Sequence, residues 1–380
     1  MELSHEDAFR LNVMLANDVK AVRINESTMT VYGLSNEGES TIRLNPTCRD
    51  DKYLRRVREL LSSHVLGSPG GYPVYLKRWS RMGQARKESL ERLLLLGEPE
   101  AVVAVVHASG LTGELARRAW WSLPEADSAR CMLARKSIAD DPFSNELAEF
   151  LVEFLPFEEN SEAMMESVRL VLQPGLIGNE VRQRLWKQGK VKNSYYVGFL
   201  QTTPDELSDP LPPHHQWESV SGQLQALTDA GNPFAVQLCR CLSAQGQTFL
   251  AVSKKVMSKP ANQEVMVRLL DAIGAYFSTV CFAEIRSHDV QQLASNAKAL
   301  CDPKNVSDSP AFRRLKEVIT CAGGLVPMLS SMLGLAAVTE AVVTPIFAHT
   351  NAIGTVMRRR LEPVTKPLLE LITRLQDDSQ

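Results

Sequence analysis

From residue 85 onward the chain is a succession of short apolar-striped segments, each closed by glycine or proline. Examples are "RKESLERLLLLG", "EPEAVVAVVHASG", "TGELARRAWWSLP", "SNELAEFLVEFLP" and "GNEVRQRLWKQGK". Apolar residues recurring at helical spacing, with a breaker at each end, predict helices of only two to four turns. Helices so short cannot stand alone and must bury their stripes on one another, which makes the fold class mainly α. A weak repeat runs through three of them: Glu114, Glu146 and Glu180 open similar segments. A recurrence of that length, with two helices per period, predicts a HEAT-like helical repeat, an α-solenoid, over residues 85–203.

The first 84 residues read as a small α/β module. Ser4 to Val19 is an amphipathic helix with Ser4 and Asp7 as a capping box and Phe9, Val13 and Leu15 on one face. The alternating stretch that follows, split by "NES" and "SNEGES", predicts an antiparallel meander of three strands. "RDDKYLRRVRELLSSHVLG" is a helix with Leu54, Val57, Leu60 and Leu61 inward and its cations outward. Residues 204–216, "PDELSDPLPPHHQ", read as a proline-rich linker with a solvated His214-His215 doublet. Residues 217–380 form a C-terminal all-helical domain. The uncharged run Val318 to Thr339 is expected to be a buried helix pair broken near Pro327, and no membrane span is expected.

The stretch "HVLGSPGGYPVYLKRW" invites comparison with a phosphate-binding loop and fails it. Gly67, Gly70 and Gly71 lead into Tyr72 and Pro73, with no Lys-Ser or Lys-Thr pair after them. Pro69 and Pro73 remove two N–H donors that such a cradle uses. The stretch is a stiff turn before a helix, with Pro73 in the first turn. No Cys-x-x-Cys or His-Glu-x-x-His motif is present, and Cys239 and Cys241, two apart on a helix, diverge by about 200°. No Gly-x-Ser-x-Gly nucleophile elbow occurs either. No catalytic residue, metal or cofactor is therefore expected.

Seven cysteines without framework spacing, and no apolar leader after a basic start, predict a reducing, cytoplasmic setting. Cys48, beside Arg49 in a polar loop, and Cys301, at a helix end, are the candidates for a sulfur-carrying thiol, and the other five read as core. Charge placement offers a second signal, although the whole chain carries a formal charge of only −2. Arg49 to Arg92 holds eleven cations and five acids, with Tyr53, Tyr72, Tyr75 and Trp79 interleaved; Ser137 to Val168 holds nine acids and no Lys or Arg. Such segregation predicts docking of protein partners by charge, with Arg55, Arg56, Lys77, Arg78 and Arg81 as contact residues. The same basic-aromatic mixture is the alternative case for a nucleic-acid-binding regulator, without any RNA or DNA module motif to support it.

The blocks "DDKYLRRVRELLSSHVLGSPGGYPVYLKRWSRMGQ", "LERLLLLGEPEAVVAVVHASGLTGELARRAWWSLPEADSARCML" and "ESVRLVLQPGLI" resemble the DsrS family of sulfur reduction proteins. That family accompanies the dissimilatory sulfite reductase system of sulfur-oxidising bacteria. The resemblance spans about Arg49 to Ile177, continues to "YYVGFL" at Tyr195, and does not extend to the last third of the chain. It implies a cytoplasmic accessory or regulatory protein of sulfur oxidation, working through protein contacts, and brings no catalytic residues with it. A persulfide-handling role for Cys48 or Cys301 is the alternative that this context implies.

Overall fold

Period-two alternation is confined to the first fifty positions, and the computed structural model of the chain builds its sheet there. The structure describes residues 3–82, 87–302, 309–349 and 352–376; the side chains of 77–82 and 87–88 fall outside that description. The chain is mainly helical and forms two compact units, Met1–Phe154 and Leu155–Gln380.

The first unit opens with α1 (His5–Ala16), followed by β1 (Ala21–Asn25), β2 (Thr30–Ser35) and β3 (Gly38–Arg43). The strands make an antiparallel meander in the order β1-β2-β3. Ser4 caps α1 by accepting from the Asp7 N–H at 3.1 Å. The reciprocal half of the capping box does not form, because Asp7 is buried and turns to Tyr53 instead. The face that α1 buries is Leu11, Met14 and Leu15. Phe9 and Val13, expected inward, point outward. The reason lies in β2: Met14 packs so closely over Gly33 that a Cβ there would meet its Sδ at 2.7 Å, which fixes the rotation of α1. Val22, Val31, Ile42, Tyr53, Val57 and Leu61 complete this core.

Eight helices follow: α2 (Asp50–Leu66), α3 (Gly71–Met82), α4 (Lys87–Leu93), α5 (Pro99–His107), α6 (Gly113–Ser122), α7 (Ala126–Leu133), α8 (Lys136–Ala139) and α9 (Ser144–Phe154). α6 reaches the sheet: the Arg23 guanidinium stacks over both Tyr32 and Trp121, and Trp121 Nε1 donates to Glu39 at 2.9 Å.

The second unit contains α10 (Ser161–Val171), α11 (Asn179–Gln188), α12 (Ser194–Thr202), α13 (Trp217–Asp229), α14 (Pro233–Leu242), α15 (Ala244–Ser258), α16 (Gln263–Tyr276), α17 (Val290–Leu300), α18 (Pro310–Cys321), α19 (Val326–Ala336), α20 (Thr344–Phe347) and α21 (Gly354–Thr373). Here packing joins helices far apart in sequence. α15 and α19 both pack on α21, and α12 packs on α16.

The proline-rich segment 204–216 runs within this unit and is held along its length. Asp205 takes a bidentate ion pair from Arg240, at 2.7 and 2.6 Å. The N–H groups of Leu207, Leu211 and His214 donate to Gln245, Thr248 and Leu242. His214, expected to be solvated, is buried, and only His215 is exposed.

In the uncharged run the chain breaks at Ala322–Leu325, with Pro327 in the first turn of α19. α19 is buried over most of its length, whereas Thr320 and Cys321 at the end of α18 are exposed. No single helix among the described residues is long and apolar enough to cross a membrane; the α18–α19 pair, the one combination with sufficient apolar length, is bent by 112°.

Candidate docking groove

The basic helix α2 presents its cations as expected, but spends them on nearby acids. Arg56 pairs with Glu59 at 2.6 Å, Arg55 approaches the same carboxylate at 3.8 Å, and Arg58 pairs with Glu26. Arg49 pairs with Asp51. Lys77, Arg78 and Arg81, with Trp79, lie outside the described side chains. The described aromatics of this block, Tyr53, Tyr72 and Tyr75, do not offer stacking faces together. Tyr53 is fully buried, and its hydroxyl donates to Asp7 Oδ2 at 2.5 Å and accepts from the Ser4 hydroxyl at 3.2 Å. Burial, with the Asp7 contact second, raises the Tyr53 pKa. Tyr75 is buried and stacks on Tyr72. The acidic run is divided between the two units, and several of its members are also paired, Asp141 with Arg117 and Glu162 with Arg268.

The Pro-Gly turn is closed by the protein's own groups. Gly67 and Gly71 adopt left-handed φ values of +68° and +57°. Ser62 Oγ accepts from the Gly71 N–H at 2.8 Å and donates to the Ser68 carbonyl at 2.9 Å. The Glu98 carboxylate accepts from the Tyr72 N–H at 2.9 Å, and a Cβ on Gly71 would collide with it. A carboxylate thus occupies the anion position at the start of α3, where a phosphate would otherwise go.

The thiols sort differently from their sequence neighbourhoods. Cys301 is fully buried, and burial pushes its pKa up to about 12, so it stays a protonated thiol at neutral pH. Cys48 is half-buried against the sheet core. Cys321, which reads as core in the sequence, is the exposed one. It sits past the last buried turn of α18, where the stripe of Phe312, Leu315 and Val318 has run out.

Among the described residues, no backbone group pairs with the outer edge of β3. The Val22 N–H donates to the Leu94 carbonyl, so the β1 edge is covered by the chain itself. On the other side the Leu44 N–H bonds to Met29, which with the β2–β3 register turns the backbone groups of Ser40 and Ile42 toward β2. Antiparallel alternation then directs the N–H and C=O groups of Glu39, Thr41 and Arg43 outward. Alongside this edge lies a groove of about 450 Å³ between α1 and β3, lined by Phe9, Val13, Ser40, Ile42 and the Glu37–Glu39 turn. Phe9 is 69% exposed and Val13 44%. Charged neighbours commonly blunt an edge strand, and Glu39 and Arg43 are such residues here, yet neither covers the two apolar side chains on α1. The sequence signal for this site was the i, i+4 pair Phe9 and Val13, read as core. No family model, curated protein or solved structure matches the chain.

Proposed function

We propose that the chain is a non-enzymatic docking protein that binds an extended segment of a partner protein along β3. The observation that carries this reading is the asymmetry of the sheet: the β1 edge takes a backbone bond from Val22 to Leu94, whereas among the described residues the β3 edge has no backbone partner and lies beside exposed Phe9 and Val13. An added strand would satisfy the outward groups of Glu39, Thr41 and Arg43 and lower every second side chain onto α1. The resemblance to the DsrS family points to components of the dissimilatory sulfite reductase machinery as partners and implies a cytoplasmic location. The packing of α5 on α6 and α7, and of α7 on α9, supports a short HEAT-like tract behind the sheet. Arg55 and Arg56 on α2 would act at the rim of such a contact, tuning its rate and salt dependence. The persulfide alternative rests on Cys48, since Cys301 lacks thiolate character.

The test is binding of purified sulfite reductase components to the wild-type chain and to two variants. Phe9→Asp with Val13→Asp removes the apolar floor at exposed positions. Thr41→Pro deletes one outward N–H, which an edge strand tolerates. Stable binding by the wild type, with a loss of about 2 kcal/mol or more in each variant, is expected for a central contact. Absence of binding, or variants that bind as the wild type does, would overturn the reading.

A further inference from the structure

A second cavity, of about 490 Å³, lies in the Leu155–Gln380 unit between the α11–α12 turn, the first turn of α10, the end of α15 and α21. Its lining brings together Lys190, Lys192, Lys255, Lys259 and Arg358 against one carboxylate, Glu159. These five cations span 168 positions of sequence, from Lys190 to Arg358, so no local charge run announces them.

Their partners distinguish them from the cations of α2. Lys192 Nζ donates to the Glu158 carbonyl at 3.1 Å, Lys255 sits 4.9 Å above the Tyr196 ring, and Arg358 reaches Thr355 Oγ1 at 3.2 Å. Among the described residues none of the five is in ion-pair contact with a carboxylate, whereas Arg55, Arg56 and Arg58 all are. Like charges gathered in one cavity repel, and a cleft lined by one sign concentrates field on whatever enters it.

The backbone adds to the same sign. α12 begins at this cavity with Asn193 as its N-cap residue, and no side chain caps its first N–H groups. The Asn193 amide nitrogen donates instead to the Lys259 carbonyl at 2.7 Å, tying the end of α15 to the start of α12, and Asn193 Oδ1 is buried without a partner. Gly189 makes the turn possible: a Cβ there would meet the Tyr196 ring at 2.5 Å, so only glycine lets that ring pack under Lys255.

We infer that this cavity binds a compact polyphosphorylated ligand. Its volume suits a ligand of small-molecule size. Four lysines and one arginine, none in an ion pair among the described residues, with a helix N-terminus among them, match the three or four charges that adjoining phosphates carry. A soluble polyphosphate and a lipid headgroup bearing two phosphates share this chemistry.

The experiment is titration calorimetry of the full chain with inorganic tripolyphosphate at physiological salt. Three proteins are compared: wild type, Lys255→Ala with Lys259→Ala, and a control of equal charge change at exposed positions outside the cavity, Lys298→Ala with Lys316→Ala, all checked for unchanged circular dichroism. Saturable one-to-one binding by the wild type is expected, weakened about tenfold or more in the pocket variant and unchanged in the control. No saturable heat with wild type, or equal weakening in both variants, overturns the inference, because the attraction is then absent or merely global. Sedimentation with cardiolipin-containing phosphatidylcholine vesicles separates the sources. Binding lost in the pocket variant assigns a headgroup, and no sedimentation assigns a free ligand. An oligonucleotide that outcompetes tripolyphosphate at equal phosphate concentration would make the site a nucleic-acid surface and overturn the compact-ligand assignment.

Discussion

Tyr53 shows how one side chain can change role between sequence and structure. Placed among cations, it suggests base stacking; folded, its hydroxyl is one of two donors to the buried Asp7 carboxylate, the other being the Asn45 N–H at 2.8 Å. The same oxygen accepts from the Ser4 N–H. Tyr53→Phe keeps the ring but withdraws a donor from a buried charge, so it should cost about 1–3 kcal/mol in thermal or urea melts. A variant as stable as the wild type would mean that this network contributes nothing. Gly274 sits where a Cβ would come within 2.5 Å of the Val338 carbonyl oxygen. Backbone cannot step aside as a flexible side chain can, and Gly274→Ala should destabilise by about 1–3 kcal/mol despite its better helix propensity. The thiols give a third residue-level expectation. Brief alkylation of the native protein, read by mass spectrometry, should modify Cys321 and spare Cys241 and Cys301 until denaturant is added. Native labelling of Cys301 would show that its burial is not maintained in solution.

At the scale of elements, several helices start at capping residues, among them Thr112, Asn160, Asn232 and Ser309, while their rotations are set elsewhere. Glu114, Glu146 and Glu180 do share a local cause, since each lies in the first turn of its helix and offsets the positive N-terminal dipole. The number of intervening helices differs, however: α7 and α8 separate the first two, and α10 alone separates the next two. The shared acidic starts therefore do not by themselves define a repeating unit. α21 shows the opposite case, an element that local rules would break. Pro363 and Pro367 lie inside its 20 residues. Pro363 is exposed and Pro367 half-buried, so the carbonyls deprived of N–H partners are on the outer side, where water can reach them. Met357, Leu361, Val364, Leu368 and Leu371 are buried on the other face and hold the helix together. Pro363→Ala restores an N–H donor and should raise the melting temperature, with a gain of up to about 3 kcal/mol. A lowered melting temperature would indicate that the proline bend is required for α21 to follow α15 and α19.

For the molecule as a whole, buried thiols and phenols make alkaline pH the destabilising direction. Burial pushes Cys241 and Cys301 up to about 12, and raises Tyr53, Tyr75 and Tyr195 as well. Between the ordinary thiol pKa of about 8.5 and 12 the unfolded chain binds fewer protons than the native one, so stability falls as pH rises through that window. Below it the contribution is constant. Urea unfolding at successive pH values from neutrality to pH 10 should show the midpoint falling once the lower limit is passed, with each thiol contributing at most about 1.4 kcal/mol per pH unit. A flat profile would mean that these thiols are solvated. The mainly helical class was legible in the residues: period-two alternation is confined to 21–43, and Gly or Pro breakers end many of the helical stripes thereafter. Those signals are local, acting within a strand or a few helical turns. The long-range arrangement was decided only by tertiary packing. Met14 meeting Gly33 turned Phe9 and Val13 outward, Leu94 bonded to the β1 edge while no described backbone group pairs with the β3 edge, and α15, α21 and the α11–α12 turn brought five scattered cations to one cavity. Each of these depends on which faces meet across tens or hundreds of residues, and that is settled by the joint burial of many side chains rather than by any one segment's pattern.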